Sequence, residues 1–182
     1  MYQCTDLPMA VVDAAIELLS AAGGTARLTV AGASMAPLLC QGDVILVRLG
    51  GVRPRLGDVV VRRQNSALVV HRVVKVVGEH VLTKGDASLS PDPPAALDDI
   101  LGVVTAVEGT LSVDLTRGIW RVVNPILAVY SHLVGRAWRV LSALRRALPA
   151  GWSPLTLRLC GRGLRFALRA PLRLLALRAR RI

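Results

Sequence analysis

Between residues 26 and 115 the chain never sustains one pattern for long. Short Val-rich runs occupy residues 26–31, 43–49, 58–63, 67–77, 80–84, 100–107 and 111–115, and Gly-Asp pairs or isolated glycines punctuate them. Runs of this length, rich in β-branched residues and bounded by turn-formers, read as strands joined by tight turns. The flanks read differently. In residues 8–22, Val12, Ala15, Ile16 and Leu19 recur at helical spacing, and Gly23-Gly24 ends the pattern. Residues 86–99 form a polar, Pro-rich loop. After Gly118 the helical period returns over 119–148 and 154–181, with Pro149, Gly151 and Pro154 between the two segments. The predicted architecture is mainly β. It has an N-terminal helix within 1–25, a β domain over 26–116 and a basic helical tail over 117–182. Aromatic residues make up only 3 % of the chain, so the core must be built from Val, Leu, Ala and Ile.

Charge divides the chain at the same place. Residues 1–116 carry nine basic and twelve acidic side chains, whereas residues 117–182 carry fourteen arginines and no acid. Leucines lie among these arginines at helical spacing, and Trp120, Trp138 and Trp152 fit an interface, which predicts basic amphipathic helices suited to an anionic membrane surface. Nucleic acid is the weaker partner, because no DNA-reading module or interleaving of aromatics accompanies the charge. The expected attachment is peripheral, since no run of 18 uncharged apolar residues occurs. The N-terminus lacks a basic region, and Asp6, Asp13 and Glu17 interrupt any apolar stretch, so neither a leader nor an N-terminal anchor is expected. Cys4, Cys40 and Cys160 lie far apart and form no CxxC. They suggest neither a metal site nor a disulfide framework, and no cofactor is expected.

The chemistry-bearing segment is Gly32-x-Ser34-Met35-x-Pro37, followed after four residues by Gly42-Asp43. A strand delivers Ser34 into a turn. A serine hydroxyl is a poor nucleophile without a base in reach, and a turn exposes backbone N–H groups that can hold an oxyanion. Gly32, which lets a substrate backbone approach, and Met35 are the expected oxyanion and substrate-binding positions. Three further boxes follow in order: Leu56–Val61 (LGDVVV), Val70–Val74 (VHRVV) and Thr83–Asp86 (TKGD). Together these boxes resemble the S24/S26 serine peptidases, the superfamily of signal peptidases and LexA-type repressors, over roughly residues 26–108. The resemblance implies a coiled β-sheet domain, with Ser34 as nucleophile.

Within that superfamily the general base is Lys in bacterial signal peptidases and LexA-type proteins. It is His in the signal peptidases of archaea and the endoplasmic reticulum. His71, 37 residues after Ser34, occupies the base position, so the chain is closest in its base to the His type. Imidazole, with an ordinary pKa of about 6.5, suits a base near neutral pH. On a regular strand His71, Val73 and Lys75 share one face, which puts Lys75 about 13 Å from His71 along the strand. A His base needs a carboxylate on its far nitrogen. By resemblance, Asp92 matches the third triad member and Asp86 the accompanying acid, although Ala87, Ser88 and Pro91 depart from the family's pattern between them. Asp43 and Asp58 read as turn residues. The expected function is an endopeptidase that cleaves a signal or leader segment from a protein or peptide precursor. Two alternatives remain open: a LexA-like regulator that cuts itself at Ala22-Gly23, and a catalytically idle binding module at a membrane surface.

Overall fold

The computed structural model describes residues 14–15, 18–19, 21–51, 53–64, 67–109 and 112–147, without the side chains of 144–147. Most of the expected N-terminal helix and all of the basic segment 154–181 lie outside these residues. Among the described residues eight strands form one antiparallel sheet: β1 (Thr25–Thr29), β2 (Val44–Leu49), β3 (Val59–Gln64), β4 (Ala67–Val77), β5 (His80–Lys84), β6 (Ala95–Ala96), β7 (Ile100–Glu108) and β8 (Val113–Asp114). The order is β1-β2-β7-β3-β4-β5-β6, with β8 also paired to β7. A helix, α1 (Trp120–Ala147), follows. The mainly-β expectation therefore holds. The Pro-rich loop contains two short elements that no period announced: the two-residue β6, which pairs with only His80 and Val81, and a 3₁₀ turn at Leu97–Asp99.

Valine dominates the interior as the composition requires. Val47, Val59, Val61 and Val104 pack with Ile45, Leu49, Met35 and Leu39, all at most 2 % exposed. Full burial of such a side chain stabilises by roughly 1.5–3 kcal/mol. Trp120 and Leu127 of α1 belong to this same cluster. The first basic segment therefore closes the core instead of standing apart from the β domain. A smaller cluster of Val60, Val73 and Val103 is separate from the main core.

β4 is the longest strand and the backbone of the site. Val60 stands opposite His71 on one side, and Lys84 stands opposite Arg72 on the other. Neighbouring residues point to opposite faces, so His71 and Arg72 diverge. Between Val73 and Lys75 the register shifts by one residue: Val73 pairs with Thr83, but Lys75 pairs with Leu82. This bulge turns Lys75 onto the face opposite His71 and Val73. The expectation that all three share a face is overturned, because one inserted residue inverts the alternation. Lys75 instead faces α1, beside Val129 and His132.

α1 approaches the sheet at Gly57. A Cβ there would lie 2.5 Å from Asn124 C and Pro125 N, and φ is +95°. Gly78 also has a positive φ, +55°, but its Cβ would meet nothing within 4 Å. We expect Gly57→Ala to lower the urea midpoint well beyond Gly78→Ala. Backbone strain of roughly 1–3 kcal/mol acts at both positions, and only Gly57 adds displacement of the helix. Equal shifts in equilibrium denaturation would show that α1 does not depend on this approach.

Candidate active site

Ser34 sits in a loop that the strands close behind it. Val30 N–H donates to Asp43 O at 2.8 Å, and Gly42 N–H donates to Val30 O at 2.8 Å. Inside the loop, Leu38 and Leu39 N–H both reach Met35 O at 3.1 Å, and the Ala36–Pro37 peptide is cis. The Asp43 carboxylate accepts Cys40 N–H at 2.7 Å, and Asp58 does the same for Arg55 N–H at 2.7 Å, so both are turn residues. Met35, Leu38 and Leu39 anchor the loop in the core. Ser34 is thus presented by a pinned turn, half-buried.

His71, 7 % exposed, stands over that turn. Its Nε2 lies 3.0 Å from Ser34 Oγ, and its Nδ1 lies 2.6 Å from Asp92 Oδ2. Burial works against the Asp92 carboxylate, but hydrogen bonds from His71 and Thr83 and the nearby His71 and Arg62 outweigh it. Its pKa is held below the ordinary value. An ionised carboxylate only accepts, so Nδ1 carries the ring proton and the Nε2 lone pair faces the Ser34 hydroxyl. In that state the ring can take the hydroxyl proton, and Asp92 can stabilise the imidazolium that forms.

The surroundings fix these three groups. Thr83 Oγ1 donates to Asp92 Oδ2 at 2.6 Å and accepts from Arg62 Nη1 at 2.9 Å, and Arg62 Nη1 also reaches Pro93 O at 3.0 Å. Ala87 N–H donates to Ser34 O at 2.8 Å, which ties the loop after β5 to the serine turn. Gly85 lies between them. A Cβ at this position would sit 2.8 Å from Ser34 O and 3.1 Å from His71 Nε2. The Thr83–Asp86 box marks this region in the sequence, but the contacts that Thr83, Gly85 and Arg62 make there are not legible from it. The usable signal was an arginine two residues past Val60 on a Val-rich strand, a position that buries it.

The remaining candidates separate. Asp86 does not meet His71: both its oxygens are taken by Arg72, at 2.8 and 2.7 Å. Between the two acids left open by the sequence, the geometry puts Asp92 on the histidine and Asp86 on the arginine. Met35 is 2 % exposed and part of the core, so its side chain does not form the expected substrate-binding position. Gly32 is exposed, and a Cβ there would meet nothing within 4 Å, which leaves room above it for another chain. Among the described residues no group of three or more His, Cys, Asp or Glu side chains could hold a metal.

Lys84, in the same box, turns toward α1. It is 1 % exposed, and its Nζ donates to Ser131 Oγ at 2.6 Å. Burial lowers its pKa to about 8, with Arg72 adding to the effect and Asp86 and Asp92 opposing it. Above that value the folded chain releases a proton that the unfolded chain keeps up to about 10.4. Unfolding free energy should therefore rise with pH from about 8 to about 10. Urea denaturation across this window should show that rise in the natural chain and a flatter profile in Lys84→Met. Identical slopes would mean that Lys84 stays charged in its buried position.

No curated protein matches the chain. The model of the Peptidase S24-like family matches residues 3–105, a span that contains Ser34, His71, Asp92 and every strand from β1 to β6. With more than half of its residues in that match, the chain belongs to the Peptidase S24-like family.

Proposed function

We propose that this chain is a serine endopeptidase that removes a signal or leader segment from another protein or peptide, with Ser34 as nucleophile, His71 as general base and Asp92 as the acid that orients it. The observation that carries this reading is the unbroken line from Ser34 Oγ through the His71 ring to Asp92, at 3.0 and 2.6 Å. Ser34 Oγ attacks the scissile carbonyl while Nε2 takes its proton. The imidazolium returns that proton to the leaving amine, and water, deprotonated by the same nitrogen, releases the acyl group. Backbone N–H groups of the serine turn would donate to the oxyanion. β1 is an edge strand that runs directly into this turn. An extended substrate adding to that edge would be led past Gly32 to Ser34.

Action on another molecule is favoured over self-cleavage by where Ala22-Gly23 lies. Gly24 N–H is bonded to Leu19 O at 2.8 Å, and Gly24 O accepts Leu49 N–H at 3.0 Å. That end of β1 is separated from the serine turn by the whole strand, which is paired to β2 from Thr25 to Thr29. Five strand residues span about 17 Å, so the bond would have to leave the sheet to reach Ser34.

Cleavage of precursor peptides with small residues before the cut provides the test. Ser34→Ala and His71→Ala should each lose at least ~10³-fold in kcat/KM, and Asp92→Asn should lose up to ~10⁴-fold through the wrong ring tautomer. Lys75→Ala should keep most of the activity, because the bulge faces it away from the serine. Lys75→Ala should also leave the pH dependence of the rate unchanged. Full activity in Ser34→Ala would end the enzyme reading. A Ser34-dependent new N-terminus at Gly23, seen by intact-mass spectrometry, would put the self-cleaving regulator first.

A further inference from the structure

α1 is apolar on two opposite sides. Trp120, Leu127, Ala128 and Val134 face the sheet and are at most 8 % exposed. On the other side Val122, Ile126, Val129, Leu133 and Val140, with Ile119 just before the helix, are 47–67 % exposed. Their spacing alternates three and four, apart from one step over Arg136, so they form a single stripe. It runs about 27 Å from Val122 to Val140. A helix apolar all round is normally covered all round, and a contiguous exposed patch of this kind marks an interaction surface.

The stripe continues onto the sheet. A groove of about 630 Å³ runs beside it, lined by Val129 and Leu133 of the stripe together with Leu56, Val74 and Val76. The charged and titratable side chains in that lining are Arg55, Lys75 and His132, none of them acidic. On the helix, Arg121, Arg136 and Arg139 are exposed and fall with His132 along the groove-side flank of the stripe. No carboxylate side chain occurs anywhere after Asp114. An apolar strip bordered on one flank by cations alone is complementary to a surface that offers acyl chains and anionic head groups side by side.

We infer that the outward stripe of α1 and its adjoining groove form a docking surface for an anionic lipid bilayer, with the helix lying along the interface. Among the described residues no helix is long and apolar enough to cross a membrane, so the stripe enters only the head-group and upper acyl region. The basic flank sits over the lipid phosphates. The bulge in β4 contributes directly, because it delivers Lys75 to this face. A protein partner would need its own acidic and apolar surface to match. A second copy of the chain would set these arginines against their like. The inference is independent of the peptidase chemistry, since none of these residues touches Ser34, His71 or Asp92.

Vesicle co-sedimentation of the full chain tests it. The probes are phosphatidylcholine vesicles and vesicles with a large phosphatidylglycerol fraction. The full chain should bind the anionic vesicles at least tenfold more strongly than the neutral ones, and salt should weaken binding. Ile126→Ser/Leu133→Ser changes only exposed positions. It should lower anionic-vesicle binding at least tenfold with its thermal melting unchanged. Arg136→Gln/Arg139→Gln should weaken binding less and reduce its salt dependence. Eight further arginines lie beyond Ala147. If they alone bind lipid, both stripe and flank variants will bind as the natural chain does, and the inference falls. It also falls if the serine variant turns a dimer into a monomer by analytical ultracentrifugation while vesicle binding stays the same.

Discussion

One buried guanidinium ties together four parts of this protein that lie far apart in the chain. Arg72 is fully buried. It grips both oxygens of Asp86 and donates through Nη1 to Gly57 O at 3.0 Å and Asn124 Oδ1 at 2.9 Å. Asn124 in turn donates to Leu115 O at 3.0 Å. The loop before β3, the loop after β5, the link after β8 and the helix are thereby fixed to one point on β4. Burying such a pair costs several kcal/mol of desolvation per ion, which only good geometry and further hydrogen bonds offset. Arginine suits the task because its planar fork engages a carboxylate with two parallel bonds while a third nitrogen serves other acceptors. Removing one partner would strand the other charge, so this contact is a condition of the fold as much as a source of stability.

The meeting of Ser34, His71 and Asp92 follows from the neighbouring residue. On a strand, residues 71 and 72 must face opposite ways. The ion pair on one face therefore fixes the histidine on the other. Asp86 held by Arg72 determines where Gly85 and Ala87 lie, and these two touch the serine turn. Six residues on, Asp92 N–H is tied to Thr83 O at 2.9 Å and its carboxylate meets His71. Two aspartates in one loop thus take separate duties, one on each face of the same strand. The bulge after Val73 extends this division. It keeps a flexible ammonium away from the serine and places it among the cations beside α1.

Much of this was legible before any coordinates. Valine runs between turn residues give strand positions to within one or two residues, because a half-buried pleated surface and a tight turn each demand their own residue types. That Ser34 and His71 meet was legible from ordered boxes, and local sequence carries such boxes well. What sequence could not carry was the outcome of contacts across the sheet. Whether Asp86 or Asp92 faced the histidine depended on which of them Arg72 claimed. The face of Lys75 depended on a single inserted residue, and no period reveals such an insertion. The basic segment after Gly118 was read as an appendage by its charge, yet Trp120 and Leu127 lie in the core and Asn124 holds Arg72. Charge described its outer surface and left its inner one unread.

The account rests on Asp92, held ionised, fixing the His71 ring so that Nε2 faces Ser34. Nitrogen-edited NMR of the His71 ring in the substrate-free protein measures this directly. The neutral ring should carry its proton on Nδ1, Ser34→Ala should preserve that tautomer, and Asp92→Asn should lose it. A ring proton on Nε2 in the natural protein, or a spectrum unchanged by Asp92→Asn, would contradict the account.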